Sequence, residues 1–383
     1  MTVLPLDQER LQDALALAET SFGLTEPNPR VGCVIGFEDG RVLGRGATQQ
    51  AGGPHAEVMA LRDAQAQGHG TQGATAWVTL EPCAHHGRTP PCCDALIAAG
   101  LARVVVALAD PFPQVNGAGL ARLRAAGIAV EVAEGEVAAA ARDINIGFLS
   151  RVQRGLPWVR MKIAASLDGA TALPDGQSQW ITGEPARRDG HAWRRRASAV
   201  LTGIGTVLAD DPQLDVRWVP TPAQPRRVVV DSRWRLPAAA RLLKGPGAVL
   251  VVGAIDPTLA PPELAAAGAT LLHAPGFDGR VDLRGMLQQL AERGVNELHV
   301  EAGAVLNGAL LRAGLVDELL LYMAPRLIGP GRPMALWPAL TSLSDSLDFK
   351  LVDVQKLGDD LRLRALPQHP PQFSAPLKSP GAD

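Results

Sequence analysis

The stretch TAWVTLEPCAHHGRTPPCCDALIAAG, residues 75–100, runs from a strand-like apolar segment through a turn-rich loop into an alanine-rich helical pattern. It sets Cys83 directly after Pro82 and Cys92 at the opening of the helix. A thiol at a helix N-terminus ionises more readily than usual, and the thiolate is the form that binds zinc. Upstream, PHAEVMALRDA (residues 54–64) puts His55 and Glu57 two positions apart at the start of an amphipathic helix spanning about His55 to Gln67. Alone, that pair reads equally well as a helix beginning, with Glu57 complementing the dipole. Together with two downstream cysteines it becomes three protein ligands and a base. His55, Cys83 and Cys92 leave a fourth tetrahedral position for water, as a catalytic zinc site requires.

Zinc nucleobase deaminases carry H-x-E followed by P-C-x-x-C, the glutamate moving protons without binding metal. His55, Glu57, Pro82 and Cys83 fit, but eight residues rather than two separate Cys83 from Cys92. A structural zinc site recruiting His85 or His86 therefore stays open on the residues alone.

The bulk numbers set the frame. A chain of 383 residues, 46% hydrophobic and 20% charged, is expected to hold two globular domains, and 4% aromatics require aliphatic cores. Lys plus Arg total 37 against Asp plus Glu 39, a net charge of −2. Neither a broad nucleic-acid surface nor a membrane surface is expected from that balance. No apolar run reaches the length of a membrane span and MTVLPLDQER lacks a signal-peptide pattern, so cytoplasmic residence is the default. Of 4 cysteines, three lie within Cys83–Cys93, which suits a metal better than a disulfide framework.

Around the opening stretch the pattern alternates. A helix over Leu6–Ser21, strands VGCVIG and GRVLGRGAT, and the later segments RVVVALA, LARLRAAG and AVEVAE predict a three-layer α/β domain over residues 1–150. LSRVQRGLPW reads as a linker or a domain edge. A second α/β domain follows over 151–366, with strands WVRMKIAASL, AVLTG, RRVVVDS, AVLVVG, ATLLHA, ELHVEAG and ELLLYMAP. Residues 367–383 are proline-rich and are expected to be disordered. The second domain lacks a complete G-x-G-x-x-G, but small residues at Gly203, Gly205 and Gly303 open helices after strands, where a phosphate can approach free N–H groups. In the strand from Trp158, Lys162 falls on the less apolar face with Arg160.

The stretches PNPRVGCVIG, HAE, TLEPCAHHGRTPPCCDALIAAG and DPFPQVNGAGL resemble the deaminase half of bacterial bifunctional riboflavin-biosynthesis proteins, in which the longer cysteine spacing is the rule. SLDGATALPDGQSQWITGEPARRD, TGIGTVLADDPQL, VVVDS, EAGAVLNGALL and DELLLYMAPRLIGPG resemble the reductase half, and the likeness runs to about residue 365. The resemblance implies a cytidine-deaminase-like N-terminal domain followed by a dihydrofolate-reductase-like α/β domain that uses NADPH. It implies that His55, Cys83 and Cys92 hold zinc, that Glu57 shuttles the proton and that Cys93 is a buried neighbour. Asn28 and the loop with His86, Arg88 and Thr89 then meet the pyrimidine ribosyl phosphate. By the same likeness Ala164, Trp180, Thr206, Asp210, Ser232 and the run Gly303, Ala304, Val305, Leu306, Asn307, Gly308 and Ala309 line the NADPH site. Ser178, Arg194, Leu214, Arg217 and Glu301 meet the sugar-phosphate substrate, with Arg194 and Arg217 suited to a phosphate. Lys162, Asp210 and Glu301 are the candidates for proton transfer during reduction. A homo-oligomer built through the reductase domains is implied as well. The alternative is a zinc base deaminase acting on RNA with a non-catalytic second domain, against which the near-neutral charge argues.

Overall fold

A computed structural model of the protein describes residues 4–84, 90–110 and 117–368. The expectations for His85, His86, Arg88 and Thr89, and for the tail beyond Gln368, lie outside the described residues. The chain divides into two compact units, with the break between Gly155 and Leu156.

In the first unit, α1 (Pro5–Glu19) precedes a hairpin of β1 (Gly32–Gly36) and β2 (Val42–Ala47). Then α2 (Ala56–Ala66), β3 (Thr75–Val78), α3 (Cys92–Ala98), β4 (Arg103–Val106), α4 (Ala118–Ala125) and β5 (Ala129–Val132) alternate, and α5 (Glu136–Ile144) and α6 (Ile146–Arg154) follow. The sheet order is β2-β1-β3-β4-β5, with β1 antiparallel to both neighbours and β3, β4 and β5 parallel. β1, β3 and β4 are buried along their whole length, which is why each reads as a continuous apolar run.

Glycines decide how closely the helices lie on this sheet. A Cβ at Gly44 would sit 2.3 Å from the Ala60 carbonyl oxygen, and one at Gly46 2.2 Å from that of Ala56. Only glycine lets α2 approach there, and that contact fixes its first turn, which carries Glu57. The segment LSRVQRGLPW, read as a linker or domain edge, runs through the end of α6, and the break between the two units falls inside it. That helix buries Phe148 and Leu149 and places Arg151 and Arg154 in its last turn, where they complement the dipole. Gly155, at φ 66°, ends it.

The second unit opens with β6 (Trp158–Ser166), β7 (Ala170–Ala172), α7 (Glu184–Arg196), β8 (Ala199–Gly203), α8 (Ile204–Asp210) and β9 (Arg226–Val230). It continues through α9 (Arg241–Lys244), β10 (Val249–Gly253), α10 (Pro262–Ala266), β11 (Ala269–His273), α11 (Leu283–Glu292), β12 (Glu297–Val300), α12 (Ala304–Arg312) and β13 (Glu318–Ala324). Three further strands are β14 (Arg332–Pro333), β15 (Phe349–Leu357) and β16 (Asp360–Pro367). Nine strands form one sheet in the order β11-β10-β9-β8-β12-β6-β13-β16-β15. The first seven are parallel and the terminal hairpin β15–β16 is antiparallel.

β6 lies centrally, paired on its two edges with β12 and β13, and is buried or half-buried along its whole length. Arg160, on the face read as less apolar, is 0% exposed. Its guanidinium joins Glu297 of β12 at 2.7 Å to Glu318 of β13 at 2.9 Å. A buried charge of this kind persists only when paired, and here the pairing ties β6 to both of its neighbours.

Candidate functional sites

His55 is the N-cap of α2 in extended conformation, so its ring leaves the helix at the entrance where Glu57 sits in the first turn. Cys83 follows β3, and Cys92 is the first residue of α3. His55 Nδ1 lies 3.7 Å from Cys83 Sγ and 3.3 Å from Cys92 Sγ, and the three ligand atoms all fall within 4.8 Å of one another. Two ligands at tetrahedral zinc, one nitrogen and one sulfur at normal bond lengths, stand about 3.5 Å apart. The donor set and its spacing therefore fit zinc. The Cys83 thiol is pushed down by the Cys92 thiol and by His55, and the Cys92 backbone N–H donates to its sulfur at 3.4 Å. One of the two thiols is thus already favoured as thiolate, the ligating form.

Glu57 is 3% exposed. Burial, and then the charge on Cys83, push its carboxyl upward. Cys33 of β1 is wholly buried near it, its own thiol raised well above normal by burial and by Glu57. The base is thus walled by apolar strand on one side and by the ligand cluster on the other.

Two residues complete this centre that sequence reasoning left without a role or understated. Glu81 accepts four backbone N–H bonds, from Gly119 at 2.9 Å, Asp110 and Gly117 at 3.1 Å, and Leu120 at 3.3 Å. It fixes the chain just before Pro82 and Cys83 to the start of α4. Cys93 donates its thiol to the Pro82 carbonyl at 3.2 Å, and burial pushes it up to about 12, so it stays protonated beside the ligands. Asn28 lies in the turn before β1, its N–H donating to the Thr25 carbonyl at 2.9 Å.

In the second unit, Glu301, just past β12, gathers two of the expected residues, Arg194 and Lys162, and with them His299, which sequence reasoning did not name. Arg194 of α7 grips it with two hydrogen bonds, from Nε to Oε1 and from Nη2 to Oε2, the latter at 2.9 Å. Lys162 Nζ of β6 is 3.9 Å from Oε2. His299 Nε2, fully buried, is 3.4 Å from Oε1. Burial opposes the Glu301 charge, but Arg194 and Lys162 outweigh it and hold the carboxyl well below its usual range. Burial lowers Lys162, with Glu301 pulling it up and Arg194 pushing it down again.

The loop after α8 brings Leu214 and Arg217 to the same region. Arg194 Nη1 donates to the Asp215 carbonyl at 2.8 Å, and exposed Arg217 pairs with the Asp215 carboxylate at 2.5 Å. Leu214 is buried at φ 53°. The two glycine-led junctions also meet: a Cβ on Gly303 would stand 3.7 Å from Thr206 Oγ1, and one on Gly203 3.3 Å from Leu306. The opening turns of α8 and α12 therefore face a common space.

Other expected cofactor residues have defined tasks. Asn307 donates to the Met334 carbonyl at 2.9 Å, and a Cβ at Gly308 would fall 2.1 Å from the Leu336 carbonyl oxygen, so both are turned toward the 334–336 segment. Ser232 Oγ accepts from the Val281 N–H at 3.3 Å. Asp210 is exposed at the end of α8, Ala164 lies half-buried on β6, Ser178 is half-buried and Trp180 is exposed.

Comparison with known proteins agrees with both units. Residues 5–108 match the family described as cytidine and deoxycytidylate deaminase zinc-binding region, and residues 157–363 match the RibD C-terminal domain. The Escherichia coli (strain K12) riboflavin biosynthesis protein RibD is 46% identical over 370 residues, covering 93% of this chain and 98% of its own. The Aquifex aeolicus counterpart is 39% identical, covering 93% and 97%. Among solved structures, Acinetobacter baumannii RibD superposes with a TM-score of 0.85 at 45% identity, covering 95% of this chain and 99% of that one. A Thermotoga maritima diaminohydroxyphosphoribosylaminopyrimidine deaminase/5-amino-6-(5-phosphoribosylamino)uracil reductase superposes with a TM-score of 0.83 at 32% identity, covering 94% and 99%.

Proposed function

Because the chain belongs to the RibD family of bifunctional riboflavin-biosynthesis deaminase/reductases, we propose that its two polar centres are the sites of the family's two reactions. The first hydrolyses the amino group of a diaminopyrimidinone ribosyl phosphate, and the second reduces the ribosyl group to ribityl with NADPH. The observation that carries the first assignment is the His55–Cys83–Cys92 cluster beside buried Glu57. Nothing in the relatives compared or among the described residues favours the RNA-deaminase alternative.

In the deaminase unit His55, Cys83 and Cys92 hold the zinc, which supplies Lewis-acid activation of water near neutral pH. Glu57 removes a proton as water adds to the amino-bearing ring carbon, and returns it as the carbon–nitrogen bond breaks and ammonia leaves. Its burial keeps competing water away, while Glu81 and Cys93 hold the ligand-bearing backbone still. Metal analysis tests the ligand set. The purified chain should carry zinc in its first unit, Cys92→Ala should lose it, and Cys93→Ser should keep it. Zinc retained by Cys92→Ala would remove that cysteine from the set.

In the reductase unit NADPH supplies the hydride. The geometry ranks the three proton-transfer candidates. Glu301 is held as a carboxylate by Arg194 and so has no proton to give, and Asp210 lies exposed at a helix end. Lys162 is the cation of the group, with a lowered pKa and a carboxylate at 3.9 Å to orient it, and it protonates the oxygen that becomes the new hydroxyl. Arg194 then organises Glu301, leaving exposed Arg217 as the guanidinium that can reach the substrate phosphate.

The reductase unit also supports the expected homo-oligomer. β15 ends the nine-stranded sheet, and Leu351 and Val354 on it are 57% and 55% exposed. An apolar edge strand of this kind calls for cover, and a second copy of the same unit supplies it. Light scattering after gel filtration should give a dimer or larger species for the wild type and a monomer for Leu351→Lys/Val354→Lys. A wild-type monomer at micromolar concentration would overturn this. Among the described residues no helix is long and apolar enough to cross a membrane. We place the reaction in the cytoplasm, where thiol ligands stay reduced.

A further inference from the structure

Helix α7 carries Arg187, His191 and Arg194 at i, i+4 and i+7, so the three share one face. Arg194 ends that stripe on Glu301. At the other end the Arg187 guanidinium lies 4.6 Å from the Trp180 ring centroid and 5.2 Å from that of Trp218. Trp218 in turn stacks on His191, with centroids 5.2 Å apart and planes at 28°. The order along the stack is Trp180, Arg187, Trp218, His191.

The ladder is anchored at several points. Arg187 Nη1 donates to the Thr182 carbonyl at 2.6 Å, and no carboxylate pairs with Arg187 among the described residues. Arg188 donates to the Trp218 carbonyl at 3.1 Å, Arg326 to the Trp180 carbonyl at 3.2 Å, and the Arg217 N–H to His191 Nδ1 at 3.3 Å. Trp180 is 56% exposed, so what holds its ring is chiefly this guanidinium. A planar cation between two rings fixes both, which a flexible ammonium does less well.

We propose that Arg187 is a positioning residue of the reductase unit, which by its place between Trp180 and Trp218 holds the cofactor-side tryptophan and the Asp215–Trp218 loop on one support. NADPH binding and sugar-phosphate binding thereby share a common scaffold, although Arg187 touches neither ligand. The inference rests on the reading of Trp180 as a cofactor contact.

The test is the NADPH dissociation constant, from cofactor fluorescence, for the full-length zinc-loaded protein and for Trp180→Ala, Arg187→Ala, Arg187→Met and the Trp180→Ala/Arg187→Ala pair. Methionine fills similar space without charge or plane. Both Arg187 variants should weaken NADPH binding about five- to thirtyfold, the span of one or two cation–π contacts. Arg187→Lys should fall between them and the wild type. The double variant should be no weaker than Trp180→Ala alone, because the two side chains act as one unit. The KM for the sugar-phosphate substrate should rise in parallel while ammonia release is unchanged. Wild-type NADPH binding in Arg187→Ala and Arg187→Met, with Trp180→Ala impaired, would overturn the role of Arg187 and leave Trp180 as a contact. Unchanged binding in Trp180→Ala would remove the cofactor reading and the inference with it. Effects that multiply in the double variant would show independent residues and overturn the shared support.

Discussion

Glu57→Gln should retain zinc and lose ammonia release by about a hundred- to ten-thousandfold, the range for removing a positioned acid–base group. Glutamine matches glutamate in volume, so the buried site at the head of α2 keeps its packing. It also removes a carboxylate that burial disfavours, so thermal stability should not fall. The ligands His55, Cys83 and Cys92 are untouched, and zinc content by elemental analysis should equal that of the wild type. His55→Ala should lose metal and turnover together. The Glu57 variant should still oxidise NADPH when given the deaminated intermediate directly. Near-wild-type ammonia release from Glu57→Gln would remove Glu57 as the proton carrier.

Lys162→Met should abolish reduction to a similar extent, about a hundred- to ten-thousandfold, and leave deamination unchanged. The sign of the pH dependence follows from the contacts. Lys162 must carry its proton to donate it, and burial lowers its pKa from the ordinary 10.5. Reduction therefore falls as pH rises through that lowered value, earlier than an exposed lysine would dictate. Glu301 pulls the lysine up, so Glu301→Gln should move this alkaline limb to still lower pH. A pH profile of NADPH oxidation with the deaminated substrate reads both effects. A Lys162→Met enzyme with an unchanged alkaline limb would assign the proton to another group.

The gathering of His55, Cys83 and Cys92 was legible because its signals are local. His55 and Glu57 lie within one turn of α2, and Cys83 and Cys92 stand at a strand end and a helix start, where chain direction alone fixes where side chains point. Even so, the cysteine spacing was decided by resemblance, since residues alone left His85 or His86 open. The reductase centre was less legible. Arg194 and Glu301 are 107 positions apart and Arg160 and Glu318 are 158, and neither the packing of α7 on β12 nor the parallel order β12-β6-β13 leaves a mark in local periodicity. Arg160 and Lys162 look solvated on a strand read by itself, yet Arg160 is buried once strands cover both sides. His299, Tyr322 and Arg187 escaped for the same reason. Tyr322, for example, donates to Asp189 at 2.6 Å across 133 positions. The hairpin β15–β16 was missed because β15 is exposed along most of its length and shows no clear inward face. Helix α6 was not seen within the segment read as a linker or domain edge, because Arg151 and Arg154 were read as loop charge rather than as the outer face of an amphipathic helix.

The most direct test of the account follows both products in one vessel. Purified protein is given the diaminopyrimidinone ribosyl phosphate and NADPH, with ammonia and NADPH absorbance recorded together. The account predicts ammonia release followed by equimolar NADPH oxidation, and neither signal from Glu57→Gln unless the deaminated intermediate is supplied. NADPH consumed without ammonia, or no ammonia from the zinc-loaded wild type, would contradict it.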